Sequence, residues 1–144
     1  MTVEISDIYM LIWDLSFLTK LKNMGIKVSV YKRYVDDITV VMRMIEAGWH
    51  FDRNRGKLVF NPEHEYAALE PDHRTMSVLR DIANGLDSDI QLTIDVPSLN
   101  VSGRLPVLDL ELCVINDKVQ FTFYKKPISN PRVISYSSAI SCRI

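Results

Sequence analysis

Two adjacent aspartates, Asp36 and Asp37, interrupt a run of apolar residues that otherwise alternates as two β-strands would. Val28, Val30 and Tyr34 mark one face of the first strand, Lys27–Tyr34. Ile38, Val40 and Met42 do the same on the second, with Val41 off pattern. This is hairpin periodicity. Aspartate suits the connecting turn, because its short side chain bonds the nearby backbone and tolerates left-handed conformations. Two aspartates in a turn are ordinarily a solvated turn. At the tip of a rigid ribbon, however, they also make a paired hard-oxygen donor set of the kind that divalent cations take.

The residues before and after the ribbon fix the fold class. Residues 5–24 carry Ile5, Ile8, Tyr9, Ile12, Leu15, Leu18 and Leu21 near helical spacing, and Gly25 follows where a left-handed cap belongs. Trp13 and Phe17 are expected as core or interface aromatics. From Glu46 to Glu70 the glycines and Pro62 predict a loop with one small strand over Lys57–Phe60, in a minor hairpin turned at Asn54-Arg55-Gly56. His50, His64 and His73 fall in or just after this region. His64 sits between Glu63 and Glu65, but the spacing matches no metal site and the composition is that of a solvated loop.

A second helix is predicted over Pro71–Gly85, capped by Asp72, with Met76, Leu79, Ile82 and Ala83 on its apolar face. Three strands are expected next: Ile90–Val96, Leu105–Ile115 and Lys118–Lys125, the last two joined by the tight-turn pair Asn116-Asp117. Pro127–Ile144, rich in serine with two prolines, is expected to be irregular. Helices on one face of an antiparallel sheet make an α+β domain. No repeat, low-complexity tract or domain boundary divides the 144 residues.

Composition narrows the classes further. A hydrophobic content of 47% belongs to a folded chain. Cys113 and Cys142 lack metal-ligand spacing, and Cys113 on its apolar strand reads as a small buried hydrophobe. The chain is therefore expected in a reducing, intracellular compartment. No signal or transit peptide is apparent, and Glu4, Asp7, Asp14 and Lys20 argue against the first helix spanning a membrane. The formal net charge of −1 weighs against nucleic-acid binding. Its distribution offsets that: from Lys118 onward come Lys118, Lys125, Lys126, Arg132 and Arg143 with no acid at all.

Three blocks occur in a telling order: Lys32-Arg33-Tyr34-Val35-Asp36-Asp37, Leu105-Pro106-Val107-Leu108-Asp109-Leu110 and Phe123-Tyr124-Lys125-Lys126-Pro127. As a set they resemble the reverse transcriptase domain, most nearly that of Penelope-like retroelements. The family runs Arg-Tyr-Val-Asp-Asp, then Leu-Pro-Phe-Leu-Asp, then Tyr-Arg-Lys-Pro-Thr. Here Val107, Lys125 and Ile128 replace the usual Phe, Arg and Thr. An RNA-dependent RNA polymerase palm is a weaker likeness, since those commonly carry Gly or Ser where Tyr34 stands.

The resemblance implies a partial polymerase palm over 1–144: a ferredoxin-like antiparallel sheet with two helices packed on one face. It implies RNA-templated DNA synthesis by two-metal nucleotidyl transfer, in which two cations about 3.5–4 Å apart clamp the attacking and leaving oxygens. The cofactor would be Mg²⁺ or Mn²⁺, expected only for the complete active site. Asp36 would be the principal metal ligand and Asp37 a catalytic companion. Tyr34 would shape the floor under the primer terminus, and Tyr124, Lys125 and Lys126 would meet the nucleic acid near the primer grip. The partners would be an RNA template and a DNA primer.

The family's further essential aspartate, on an upstream strand, has no counterpart here, nor do the fingers residues that bind the triphosphate. Asp14, Asp95 and Asp109 match no catalytic motif. The chain alone is therefore expected not to polymerise, as a fragment of such an enzyme. The alternative is a non-catalytic nucleic-acid-binding or protein-interaction module built on a palm.

Overall fold

The computed structural model describes residues 3–123, with side chains from Asp7 onward. The Tyr124–Pro127 block and the expected irregular segment over Pro127–Ile144 lie outside the described residues. The elements are α1 (Val3–Asn23), β1 (Val28–Tyr34), β2 (Asp37–Met42), β3 (Trp49–Asp52), β4 (Lys57–Phe60), α2 (Pro71–Asn84), β5 (Leu105–Val107), β6 (Leu110–Ile115) and β7 (Lys118–Phe123). Two short 3₁₀ turns, Glu65–Ala68 and Pro97–Leu99, flank α2. The domain is α+β. Its strands form three small antiparallel sheets, β1-β2, β3-β4 and β5-β6-β7.

α1 ends where its glycine predicts. Gly25 adopts φ 78, the Ile26 amide donates to the Leu21 carbonyl at 2.9 Å, and the Gly25 amide donates to Lys22 at 3.0 Å. That is a Schellman closure, with Leu21 and Ile26 packed into the same apolar cluster. The buried face of the helix keeps Trp13, Phe17 and Leu21 of the expected residues, spaced i, i+4, i+8, but not Ile8, Ile12 or Leu15, which are exposed. Apolar and polar residues are spread over every face of α1, so periodicity alone does not choose one. The aromatic stripe wins because it buries most area per residue. Trp13 and Phe17 stack with ring centroids 5.2 Å apart.

α2 supplies the other half of the core through Val78, Leu79, Ile82 and Ala83, joined by Phe51 of β3. Its N-cap is Glu70, without a side-chain hydrogen bond, and Pro71 opens the first turn. Asp72, expected as the cap, instead accepts from the amides of His73 at 2.8 Å and Ser98 at 2.9 Å. Further along, α2 grips the strand exit after β2. The Ile45 amide donates to Thr75 Oγ1 at 2.8 Å, and Arg74 Nε donates to the Ile45 carbonyl at 3.0 Å. Both backbone groups of Ile45 are thus satisfied by buried helix side chains, as a neighbouring strand would satisfy them.

The β3-β4 hairpin pairs Asp52 with Lys57 and turns through Asn54-Arg55-Gly56, as its glycine predicts; the Gly56 amide donates to Asp52 at 2.8 Å. Gly48, at φ 99, lies so close to Phe60 that a Cβ there would meet its ring at 2.6 Å.

Two strand expectations are corrected. Ile90–Val96 forms no ladder, although Ile90, Leu92, Ile94 and Val96 point inward in the expected alternation. Its backbone is held by Asn84 instead: Leu92 donates to Asn84 Oδ1 at 2.7 Å, and Asn84 Nδ2 donates to the Leu92 carbonyl at 3.3 Å. A carboxamide offers the donor and acceptor that a strand neighbour would.

Leu105–Ile115 is not one strand but two, folded at Leu108-Asp109 with Val107 opposite Leu110. Residues paired across a two-residue loop share a face, so the alternation changes phase at the turn, from Leu105 and Val107 to Leu110 and Leu112. Pro106 fits on β5 because that strand is an edge. Asn116 and Asp117, both left-handed at φ 50 and 60, close β6-β7 as a type I′ turn. Cys113, expected to be buried, is half-buried on β6, and β7 is exposed on both faces.

Candidate functional site: the β1-β2 hairpin tip

β1 and β2 pair in antiparallel register down to Tyr34 opposite Asp37, leaving Val35 and Asp36 as the two-residue loop. Val35 sits at φ 57, and among the four residues of the turn it alone has a positive φ. A first loop residue with positive φ and a second without it is the pattern of a type II′ turn, which normally takes glycine first. A β-branched residue there is strained by about 1–3 kcal/mol. The tip is open to solvent: Tyr34 is 62% and Val35 69% exposed, and Asp36 and Asp37 are exposed as well.

The ribbon is anchored by a feature that strand alternation does not foretell. A bulge between Val28 and Val30 shifts the register. Beyond it Tyr31 and Arg33 turn inward, while Val30 and Tyr34, expected on the packed face, turn out. Both inward residues reach Asp14 of α1, a carboxylate only 8% exposed. Tyr31 donates its hydroxyl to Asp14 Oδ1 at 2.7 Å, and Arg33 Nε donates to Oδ2 at 2.7 Å. Arg33 also extends Nη1 to the Val35 carbonyl at 2.7 Å.

Burial, then the Asp14 hydrogen bond, holds the Tyr31 hydroxyl well above the usual tyrosine range. The Asp14 hydrogen bond likewise strengthens the proton affinity of the Arg33 guanidinium. Asp14 reads in sequence as a polar residue on a helix. Only the bulge and the packing of α1 against β1 bring it to the hairpin.

The remaining candidates are elsewhere. Tyr124, Lys125 and Lys126 lie outside the described residues. Asp95 accepts from Asn100 Nδ2 at 3.0 Å. Asp109 occupies the second position of the Leu108-Asp109 turn, where Leu108, at φ 53, repeats the backbone of Val35.

His50 and His64 stack face to face with ring centroids 3.9 Å apart. His64 Nδ1 accepts from the Tyr66 amide at 3.2 Å, and His50 Nδ1 is buried without a hydrogen-bond partner among the described residues. A cleft of about 680 Å³, lined in part by Lys20, Met24, Ile45, Glu46, Trp49 and Lys57, includes no residue of the hairpin tip.

As a metal site the tip offers two adjacent carboxylates. Among the described residues no group of three or more His, Cys, Asp or Glu side chains could hold an ion. A hard cation that keeps most of its water, as Mg²⁺ commonly does, takes only one or two carboxylates together with substrate phosphates. The pair does not make the full ligand set of a two-cation centre. Among the described residues no helix is long and apolar enough to cross a membrane. No family model, no curated protein and no solved structure matches the chain.

Proposed function

We propose that this chain is the palm-type element of a reverse transcriptase-like polymerase, presenting Asp36 and Asp37 as divalent-cation ligands beside a primer terminus on an RNA–DNA hybrid. The observation that carries the reading is the solvent-exposed apex itself. Its two acids stand at the end of a paired ribbon, next to a strained, left-handed Val35. Strained backbone of this kind clusters at functional sites. The order of the three sequence blocks supports the same reading, as does the run of basic residues after Lys118 without an acid.

On this reading a bound Mg²⁺ or Mn²⁺ would supply charge neutralisation for phosphoryl oxygens. The chain's own part is to hold the carboxylates at the apex and to keep Tyr34 exposed as a flat apolar surface beside them. An arrangement of strands and helices equivalent to a polymerase palm belongs to this proposal.

Mn²⁺ titration of the chain, read by paramagnetic broadening of backbone amides, tests it. Broadening centred on Asp36 and Asp37 is expected, and Asp36→Asn should abolish it. Broadening that is absent, or that survives Asp36→Asn unchanged, would sink the reading.

A further inference from the structure

We propose that Arg33 is a positioning residue: by bridging Asp14 of α1 to the Val35 carbonyl, it locks the left-handed turn that presents Asp36 and Asp37. The inference rests on the reading of the tip as a cation site, but the lock is a property of the hairpin that can be tested apart from that reading.

The geometry is specific to arginine. Nε is committed to Asp14 Oδ2 and Nη1 to the Val35 carbonyl, both at 2.7 Å. A planar guanidinium serves two acceptors in fixed directions at once, whereas one ammonium group cannot reproduce that fork. The anchor is firm: the side chains of Arg33 and Asp14 are only 14% and 12% exposed, and Asp14 is held a second time by Tyr31. Arg33 also lies on the inward side of β1 because of the Val28/Val30 bulge, so the register irregularity and the brace are one device.

The molecule carries its own control. Leu108-Asp109 is a second apolar-Asp loop with the same left-handed first residue, at φ 53. Among the described residues no side chain donates to the Leu108 carbonyl. Arg104, the nearest basic residue in sequence, instead reaches Thr122 Oγ1 at 3.1 Å. An aliphatic residue at positive φ carries strain, and a contact that holds its peptide makes that conformation more populated. Arg33 is the surrounding group that touches the Val35 peptide, and among the described residues Leu108 has no equivalent donor. The Val35-Asp36 tip is therefore braced by Arg33, and the Leu108-Asp109 tip, with no side-chain donor to its first carbonyl among the described residues, serves as the reference.

The test uses the whole chain, with ¹⁵N relaxation at both turns and Mn²⁺ as the probe. In the wild type, order at residues 35–37 should exceed that at residues 108–109. Arg33→Gln and Asp14→Asn should each lower order at 35–37 to the level of 108–109 while amide protection along β1-β2 persists. Arg33→Lys, which keeps the charge and protects against a folding failure, should do the same. Mn²⁺ affinity at the tip should fall about tenfold if the presenting conformation drops to about a tenth of the population.

Adding Val35→Gly to Arg33→Gln should restore affinity to within about twofold of wild type, because glycine takes the left-handed turn without support. A merely structural loss would not be rescued by glycine at the turn. Unchanged order and affinity in Arg33→Lys, Arg33→Gln and Asp14→Asn overturns the inference while leaving the cation reading standing. Loosening of the turn in a chain whose tip takes up no Mn²⁺ supports the lock and removes the cation reading instead.

Discussion

Val35 concentrates the unusual chemistry of this chain into one residue. A valine at φ 57 in a loop that favours glycine is retained against its own steric preference. Val35→Gly should therefore stabilise the chain by up to about 1 kcal/mol, strain relief outweighing the greater freedom glycine gives the unfolded state. Urea unfolding of the two proteins measures this directly.

Tyr31 sets a second expectation at this scale. Its hydroxyl is held above the usual value of 10.0 by burial and by Asp14. The folded state thus binds that proton more tightly than the unfolded state. The resulting stabilisation is complete below pH 10 and is lost as pH rises beyond it. Alkaline unfolding above pH 10 should be blunted in Tyr31→Phe, which should also lower stability at pH 7 by about 1 kcal/mol through the lost hydrogen bond. A pH-jump stability series on both proteins checks the sign.

Among the elements, α1 has two faces of similar hydropathy, and volume chose between them. Phe17→Ala should cost about 3–5 kcal/mol, since Phe17 is buried against Trp13 and the α2 residues of the core. Ile12→Ser, on the exposed side, should change stability by no more than about 0.5 kcal/mol. Thermal melts of the two variants separate the faces, and the reverse ranking would mean that the helix packs the other way round.

Residues 90–96 pose a complementary case. They have strand alternation but take their hydrogen bonds from Asn84. Asn84→Ala should speed exchange of the Leu92 amide about tenfold while leaving the β1-β2 ladder protected, because among the described residues no strand pairs with the segment. Hydrogen exchange followed by mass spectrometry resolves the two regions.

For the molecule as a whole, among the described residues, the helices and β3 form one core against which β1, β2 and β4 pack, while the β5-β6-β7 sheet contributes no residue to it. Charge is uneven in the same sense: net −1 over 144 residues, yet five bases and no acid from Lys118 onward. If the proposed function holds, binding of an RNA–DNA hybrid should weaken steeply with salt. Lys125→Ala with Lys126→Ala should lower affinity and reduce the slope of log affinity against log salt by about 1.5–2, the share of two phosphate contacts. Hybrid binding measured between low and physiological salt decides this, and a flat salt response would count against the basic end as a backbone contact.

Local chemistry made much of this legible in advance. Gly25 as a left-handed stop, Asn54-Arg55-Gly56 and Asn116-Asp117 as turns, Leu79 and Ile82 on an inward face, and paired acids between two strands all follow from residues within a few positions of one another. What the tertiary structure alone decided involves partners far apart in the chain. The bulge that turns Arg33 inward, the choice of Trp13 and Phe17 over Ile8 and Ile12, the meeting of Asp14 with Tyr31 and Arg33 across 17 and 19 residues, and the substitution of Asn84 for a strand partner are of this kind. Periodicity records only that a residue prefers burial or water. Which face is buried, and which polar group is met there, depends on the volume and hydrogen-bonding needs of elements that no local pattern contains.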